Sequence, residues 1–218
     1  SADTIYDSND PVNVATKFLT DEGVSVVFSA GNSGSRNGTL NPYAAATWVI
    51  GVGATDQDGT LAPFSSRGTF GADNQQPTLV APGVNVASLR SAATTTSVGG
   101  IGGADSSRLT VGEMPNYTTA SGTSFSAPQV AGAIALMLEI NPTLRPAEIK
   151  DILSRTSTPL PKYFYHEAGA GMLNTYAAVI EAAFPDRRMG SFRSTLSRNN
   201  VRFVTTTGNS FTQMVFTG

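Results

Sequence analysis

Three short apolar runs, each closed by a turn signal, constrain the fold of this chain more than any other feature. The runs are residues 24–28, 48–54 and 78–81, and the turns that close them are residues 31–34, 56–59 and 82–83. None of the runs alternates cleanly between apolar and polar residues, which is typical of strands buried on both faces of a parallel sheet. A helical pattern at residues 12–19 precedes the first run. The sequence therefore predicts an α/β fold with a mostly parallel sheet.

The strongest helical pattern lies in the second half of the chain. Val130, Ile134, Met137 and Leu138 recur at helical spacing, and the pattern ends at the pair Asn141-Pro142. Further helices are predicted at about residues 146–154 and from about residue 174. In contrast, residues 91–119 are rich in Thr, Ser and Gly, and we predict a long surface excursion there.

The character of the chain changes after Pro185. Phenylalanines and valines then stand among Thr, Ser and Arg, with turn signals at Asn199-Asn200 and Gly208-Asn209. This pattern predicts β-strands. We therefore divide the chain into an α/β portion at residues 1–184 and a short β-rich segment at residues 185–218.

Composition excludes several classes of function. Of the 218 residues, 14% are charged and the formal net charge is −2, so the chain offers no basic face to neutralise nucleic-acid phosphates. Cysteine is absent, which excludes disulfides, thiolate zinc sites and cysteine nucleophiles. The longest apolar stretch, residues 131–140, is far shorter than the about 20 residues that a membrane span needs. We expect neither a nucleic-acid partner nor a transmembrane helix.

Ser124 precedes the long helix in the segment Ser-Gly-Thr-Ser-Phe-Ser-Ala-Pro at residues 121–128. Unpaired backbone N–H groups and the positive end of the helix dipole meet at such a position, where they would stabilise an anionic tetrahedral intermediate. Ser124 is therefore a candidate nucleophile. The same pattern also fits a serine that only caps the helix, and spacing alone leaves both interpretations open.

A resemblance favours the nucleophile. Residues 122–132, Gly-Thr-Ser-Phe-Ser-Ala-Pro-Gln-Val-Ala-Gly, resemble the nucleophile segment of the subtilisin-like serine peptidases, the subtilases. Three further segments are similar to motifs of that family and follow in its order: residues 29–34, 80–83 and 169–174. The resemblance spans about residues 12–183. It implies the three-layer subtilisin-like fold with a mostly parallel sheet, here in part.

The resemblance also implies roles for individual residues. Ser124 would attack the scissile carbonyl and form an acyl-enzyme, while its own N–H and the amide of Asn32 bind the oxyanion. The resemblance also implies that Thr123 would be a nearby auxiliary donor. Ser29, Ala30 and Gly31 would form one wall of the pocket for the side chain that precedes the cleaved bond, and their small size implies a preference for apolar or aromatic side chains.

The sequence departs from the family at the rest of the catalytic triad. In subtilases the aspartate and the histidine come before the nucleophile, and neither motif is present here. The single histidine, His166, follows Ser124 and is expected to be a surface or packing residue. We therefore expect this chain to be the C-terminal part of a catalytic domain and inactive alone. Its expected partner is the N-terminal part of the same domain, or else a second copy, because a partial sheet exposes an apolar edge.

Two alternatives to an active subtilase stay open at this point. The first is an inactive member of the family that serves as a binding or scaffold module. The second is the sedolisin family, in which a similar Gly-Thr-Ser nucleophile works with carboxylates. Gln129 stands where subtilases often have histidine. Because this position is not the base of the triad, we interpret Gln129 as a tolerated structural substitution. The presence of both Ser124 and Asn32 favours the active enzyme.

The remaining expectations concern ligands and location. No cofactor is needed for this chemistry. Calcium often tightens subtilase loops, but the acidic groups Asp3, Asp7 and Asp10, and Asp56 with Asp58, supply too few oxygens for the six to eight that calcium takes. We therefore assign no metal residues, and structural calcium is only possible. The expected substrate is a peptide or protein, and the expected location is extracellular or periplasmic.

Overall fold

The computed structural model describes residues 7–72, 74, 76–91 and 105–184. They form a mixed α/β structure. Its helices are α1 (Pro11–Asp21), α2 (Asp105–Arg108), α3 (Thr123–Ile140), α4 (Pro146–Thr156), α5 (Tyr165–Ala168) and α6 (Thr175–Ala183). Its strands are β1 (Val27–Ser29), β2 (Ile50–Thr55), β3 (Leu79–Pro82), β4 (Val86–Leu89) and β5 (Tyr117–Ala120).

The three predicted strands form one parallel sheet in the order β1-β2-β3. Val27 lies beside Ile50, and Val52 lies beside Leu79. The prediction of a parallel sheet is confirmed, although the first strand starts three residues later than the apolar run suggested. Because parallel strands all end at the same edge, the loops that follow β1, β2 and β3 meet there.

The core lies mainly on one face of this sheet. Ile50, Val52, Leu79 and Ala81 alternate along β2 and β3 and pack against buried side chains of α3, α4 and α6. On the opposite face Val80 packs with Leu61 and Ala168 in a smaller cluster. The long helix α3 contacts all three strands, which fixes its N-terminus relative to the strand ends.

The predicted excursion at residues 91–119 was partly wrong. Residues 92–104 lie outside the described residues, but Tyr117–Ala120 form β5, which pairs antiparallel with β4. Val86 lies beside Ala120, and Leu89 lies beside Tyr117. Thr and Tyr favour strands, but four residues without apolar alternation gave no periodic signal. The predicted β-strands after Pro185 also lie outside the described residues. Within the described part, no helix is long and apolar enough to cross a membrane.

Lys150 gives the stability of this fold a pH dependence. Its ammonium, on α4, donates to the carbonyls of Thr47 (2.6 Å) and Val49 (2.8 Å), just before β2. Burial lowers the pKa of Lys150 from 10.5 to about 8. The folded protein therefore binds the Lys150 proton less tightly than the unfolded chain does. Below pH 8, where Lys150 is charged in both states, burial of the charge lowers the free energy of unfolding by its full amount. This destabilisation disappears as the pH rises towards 10.5, where the unfolded chain also loses the proton.

We expect Lys150→Met to abolish this dependence. The free energy of unfolding of the native protein should rise between pH 8 and 10.5, relative to the variant, by up to about 3 kcal/mol at about 1.4 kcal/mol per pKa unit. Denaturant titrations at several pH values measure the difference. Lys17→Met, which removes an exposed ammonium paired with Asp21, is the matched control. A difference between native and Lys150→Met that stays constant or falls over this range would contradict the prediction.

Candidate active site

Asn32 lies just beyond the carboxyl end of β1. The strand ends at Ser29, the fully buried Ala30 follows, and Gly31 turns the chain with a φ of +109°. A side chain at Gly31 would be strained by this φ and would lie 2.9 Å from Oγ of Ser66. The turn thus needs glycine, and it brings the exposed Asn32 to the edge of the sheet where α3 begins.

Thr123 orients the amide of Asn32. The carbonyl Oδ1 of Asn32 accepts from the backbone N–H of Thr123 (2.9 Å) and from its hydroxyl (3.0 Å). The same hydroxyl accepts from the N–H of Gly31 (3.2 Å), and Thr123 is fully buried. With Oδ1 engaged, the Nδ2 group of Asn32 is left as a donor that has no partner among the described residues. In this structure the Thr123 hydroxyl therefore positions Asn32 rather than facing outward as an auxiliary donor.

Ser124 is exposed in the first turn of α3. Neither its hydroxyl nor its backbone N–H has a partner in the described part of the chain, and the first N–H groups of any helix have none within it. Gly122, with a φ of +158°, leads into the helix, and a Cβ there would lie 3.4 Å from Nδ2 of Asn32. A glycine here thus lets the Asn32 amide approach the chain two residues before Ser124.

The start of α3 is fixed to the end of β3. The buried hydroxyl of Ser126 donates to the carbonyl of Ala81 (3.0 Å), and Nε2 of Gln129 donates to the carbonyl of Pro82 (2.6 Å). The carbonyl of Gly83 accepts from the N–H of Gly122 (2.8 Å), and a Cβ on Gly83 would lie 2.2 Å from Oγ of Ser126. This close approach explains why residue 83 is a glycine. Gln129 thus helps to fix the start of α3 to the end of β3.

The side chains of the proposed pocket wall differ in exposure. Ser29 and Gly31 are half-buried, while Ala30 is 0% exposed and its methyl group faces the interior. The carbonyl of Ser29 accepts weakly from Nδ2 of Asn41 (3.5 Å). Any surface that this segment offers to a ligand is therefore formed by its backbone and by Ser29.

His166 does not join this site. Its ring stacks on Phe164 (5.8 Å between centroids) and meets Phe70 edge-on (5.5 Å). These three rings line a cavity of about 420 Å³ together with residues 71–72, Asn74 and Gln76. The structure thus agrees with a packing role for His166 and shows no contact with Ser124.

The predicted acidic clusters serve as turns and caps. Asp56 accepts from the N–H groups of Asp58 (3.0 Å) and Thr60 (2.8 Å). Asp10 caps α1 through the N–H of Val12 (2.8 Å), and Asp7 accepts from the N–H of Asn9 (2.9 Å). Asp3 lies outside the described residues. Across the described ranges, no three acidic, histidine or cysteine side chains come together as metal ligands.

Comparison with known proteins identifies the family. The sequence profile of the subtilase family, peptidase S8, matches residues 4–179. The chain belongs to the subtilases. It is 33% identical over 181 residues to the serine protease AprX of Bacillus subtilis (strain 168), an alignment that covers 80% of this chain and 39% of AprX. With subtilisin DY of Bacillus licheniformis it shares 36% identity over 158 residues, or 72% of this chain and 47% of that protein.

A solved structure supports the same fold. Fervidolysin from Fervidobacterium pennivorans, described as a keratinolytic enzyme related to subtilisin, superimposes with a TM-score of 0.59 at 30% identity. The match covers 76% of this chain and 24% of fervidolysin. The subtilisin-like α/β fold is thus confirmed, and the chain spans less than half the length of each of these relatives.

Sequence reasoning missed one feature beside the site. Arg90, after β4, pairs with the fully buried Asp105 at the start of α2 (2.6 Å). The carboxylate of Asp105 also accepts from the N–H and the hydroxyl of Thr119 (2.6 Å each). Because Asp105 is a lone acid in a polar stretch without periodicity, nothing in the sequence marked it as buried.

Proposed function

We propose that this chain carries the nucleophile and the oxyanion hole of a serine endopeptidase. The observation that carries the proposal is the hydrogen-bonded unit of Asn32 and Thr123 beside Ser124. It fixes a neutral amide donor next to an exposed hydroxyl at the start of a helix. Such a donor acts where charge develops in the transition state and needs no reorganisation at that moment.

The reaction would proceed in two steps. Oγ of Ser124 attacks the carbonyl carbon of the peptide bond and gives its proton to a histidine base, and the carbonyl oxygen becomes an oxyanion. Nδ2 of Asn32 and the N–H of Ser124 hold that oxyanion. The intermediate then expels the amine, which takes the proton from the histidine, and leaves an ester on Ser124. Water hydrolyses the ester by the same route.

We propose that the pocket wall is the backbone of Ser29, Ala30 and Gly31. It would lie along the residue that precedes the cleaved bond. Since these residues carry no charge and leave space, we expect apolar or aromatic side chains at that position of the substrate. An extracellular or periplasmic location stays a prediction that rests on the family resemblance.

The histidine and the aspartate of the triad would come from the N-terminal part of the same catalytic domain. Exposed apolar side chains support such a partner. α1 leaves Val14 (54%) and Phe18 (63%) exposed, and α3 leaves Leu136 (52%) and Ile140 (49%) exposed. β1 is an end strand of its sheet, with its outer edge unpaired among the described residues. A partner that extends the sheet beyond β1 would cover these surfaces and bring the base to Ser124.

Labelling with a fluorophosphonate tests this proposal. Intact-mass analysis and peptide mapping report the polypeptides in the sample and the serine that is modified. We expect one adduct, on Ser124, when the upstream part is present, and none on the 218-residue chain alone. An adduct on another serine would contradict the assignment of the nucleophile. No adduct in the presence of the upstream part would favour an inactive binding or scaffold module.

A further inference from the structure

The outer edge of β5, which faces away from β4, leads directly to the nucleophile segment. In an antiparallel pair, alternate residues direct their backbone groups towards the partner strand or away from it. The N–H of Arg90 donates to the carbonyl of Asn116 (2.7 Å), which sets this alternation. At the two-residue period, the residues whose backbone groups point outward are Tyr117, Thr119 and Ser121.

The Arg90–Asp105 ion pair closes most of this edge. Nε of Arg90 donates to the carbonyl of Tyr117 (3.0 Å), and Oδ1 of Asp105 accepts from the N–H of Thr119 (2.6 Å). The two side chains are joined to each other at 2.6 Å. The pair thus supplies a donor and an acceptor to the outward groups of β5, as a neighbouring strand would. Asp105 is fully buried, so this edge is shielded from other partners up to Thr119.

The backbone of Ser121, two residues after Thr119, is accessible to a ligand. Ser121 is exposed, and its backbone N–H has no partner in the described part of the chain. Its hydroxyl accepts from the N–H of Asn85 (2.9 Å) and lies within hydrogen-bond distance of the Asn85 side chain (3.2 Å). An extended peptide adds to a sheet edge through main-chain hydrogen bonds. Such a peptide can pair with the N–H of Ser121 but not with that of Thr119, which Asp105 already occupies.

The order of the sheet indicates which part of a substrate reaches Ser121. Gly31 continues from β1, at one side of the sheet, whereas Asn85 follows β3 at the other side and holds Ser121 there. The ends of β1 and β3 lie about two strand spacings, or about 10 Å, apart. In the proposed function, the substrate residue before the cleaved bond lies at Gly31 and the bond itself lies at Ser124. The substrate residues after the bond then extend towards Ser121.

We propose that the Arg90–Asp105 pair determines how many residues after the cleaved bond contribute to substrate recognition. The inference rests on the proposed function. Pairing ends at the substrate residue opposite Ser121, and any longer segment must leave the edge. The preferred substrates are therefore peptides whose recognition lies before the cleaved bond, with only a short contribution after it.

A series of peptides tests this with the complete catalytic domain. The peptides share the residues before the cleaved bond and carry one to six residues after it. We expect kcat/KM to rise with length and then reach a plateau, with changes below about twofold for each further residue. Asp105→Ala frees the N–H of Thr119, so its plateau should move out by two residues, with a gain of about fivefold from the added hydrogen bond. Asp105→Asn keeps an acceptor for that N–H and should keep the native plateau.

Each outcome has a defined meaning. Cleavage that is absent, or that survives Ser124→Ala, overturns the proposed function. Cleavage that depends on Ser124 but shows no plateau in the native protein overturns this inference alone, as does the same plateau in Asp105→Ala. Should Asp105→Ala not fold, hydrogen exchange of the Ser124→Ala domain, which binds a peptide without cleaving it, replaces the Asp105→Ala experiment. Peptide binding should slow hydrogen exchange at the amide of Ser121 and leave exchange at the amide of Thr119 unchanged. Slower exchange at Thr119 would contradict the proposal that Asp105 keeps the peptide from this amide.

Discussion

Replacing Ser124 with alanine is expected to lower kcat of the complete catalytic domain by about 10⁶, a size known for the nucleophile of subtilisin. The variant should still bind substrate, because the oxyanion donors and the pocket wall are unchanged. It should also fold normally. Ser124 is exposed and its hydroxyl has no partner among the described residues, so its loss should change the free energy of unfolding by less than about 0.5 kcal/mol.

Ser126 offers a control two residues away. Its buried hydroxyl donates to the carbonyl of Ala81, so Ser126→Ala should lower the free energy of unfolding by about 1–3 kcal/mol. Folded Ser126→Ala molecules should keep most of their activity. Ser124→Ala should thus lose activity and keep its stability, whereas Ser126→Ala should lose stability and keep its activity. Peptidase assays and denaturant unfolding measure both. If Ser124→Ala kept more than about 1% of the native kcat/KM, Ser124 would not be the nucleophile.

The parts of the fold that were predictable are those with a periodic apolar signal. β2 and most of β3 are buried on both faces and β1 is half-buried, so the continuous apolar runs of these strands stand out. The pattern of Val130, Ile134 and Met137 marks α3. β5 was missed because Thr118 and Thr119 are stabilised by polar contacts with Asp105, which leave no apolar period. Hydrogen bonding between residues distant in sequence is invisible to local pattern analysis.

For the candidate site, the sequence predicted which residues take part but not how they are oriented. The resemblance located Ser124 and Asn32, but it did not show how Asn32 is held. The hydrogen bonds from Thr123 to Asn32 join positions 91 residues apart in the sequence. Only the three-dimensional structure shows that Nδ2 then has no partner among the described residues. Likewise, the close packing of Gly83 against Ser126 depends on how β3 and α3 meet. Motifs thus identified the residue types, and the packing assigned their orientations.

Replacing Asn32 should lower kcat far more than it changes KM. Asn32→Asp keeps an oxygen that accepts from the N–H and the hydroxyl of Thr123, and it replaces the donor Nδ2 with a second oxygen. Asn32→Leu removes both groups without adding charge. Loss of one oxyanion donor costs about 10² to 10³ in kcat, a range known for the corresponding amide of subtilisin. We expect both variants to fall in this range, with Asn32→Asp at its larger end because a carboxylate repels the oxyanion.

The comparison of kcat with KM identifies the interaction as one made in the transition state. A group that binds substrate and transition state equally would raise KM at constant kcat, whereas an oxyanion donor acts only as charge develops. Asn37→Asp is the matched control, because Asn37 lies in the same loop and its side chain accepts from the N–H of Phe70 (3.0 Å). It should leave kcat within about twofold of the native value. A kcat of Asn32→Leu within about tenfold of native would show that the free amide does not hold the oxyanion, and the oxyanion hole would then have to be formed without Asn32.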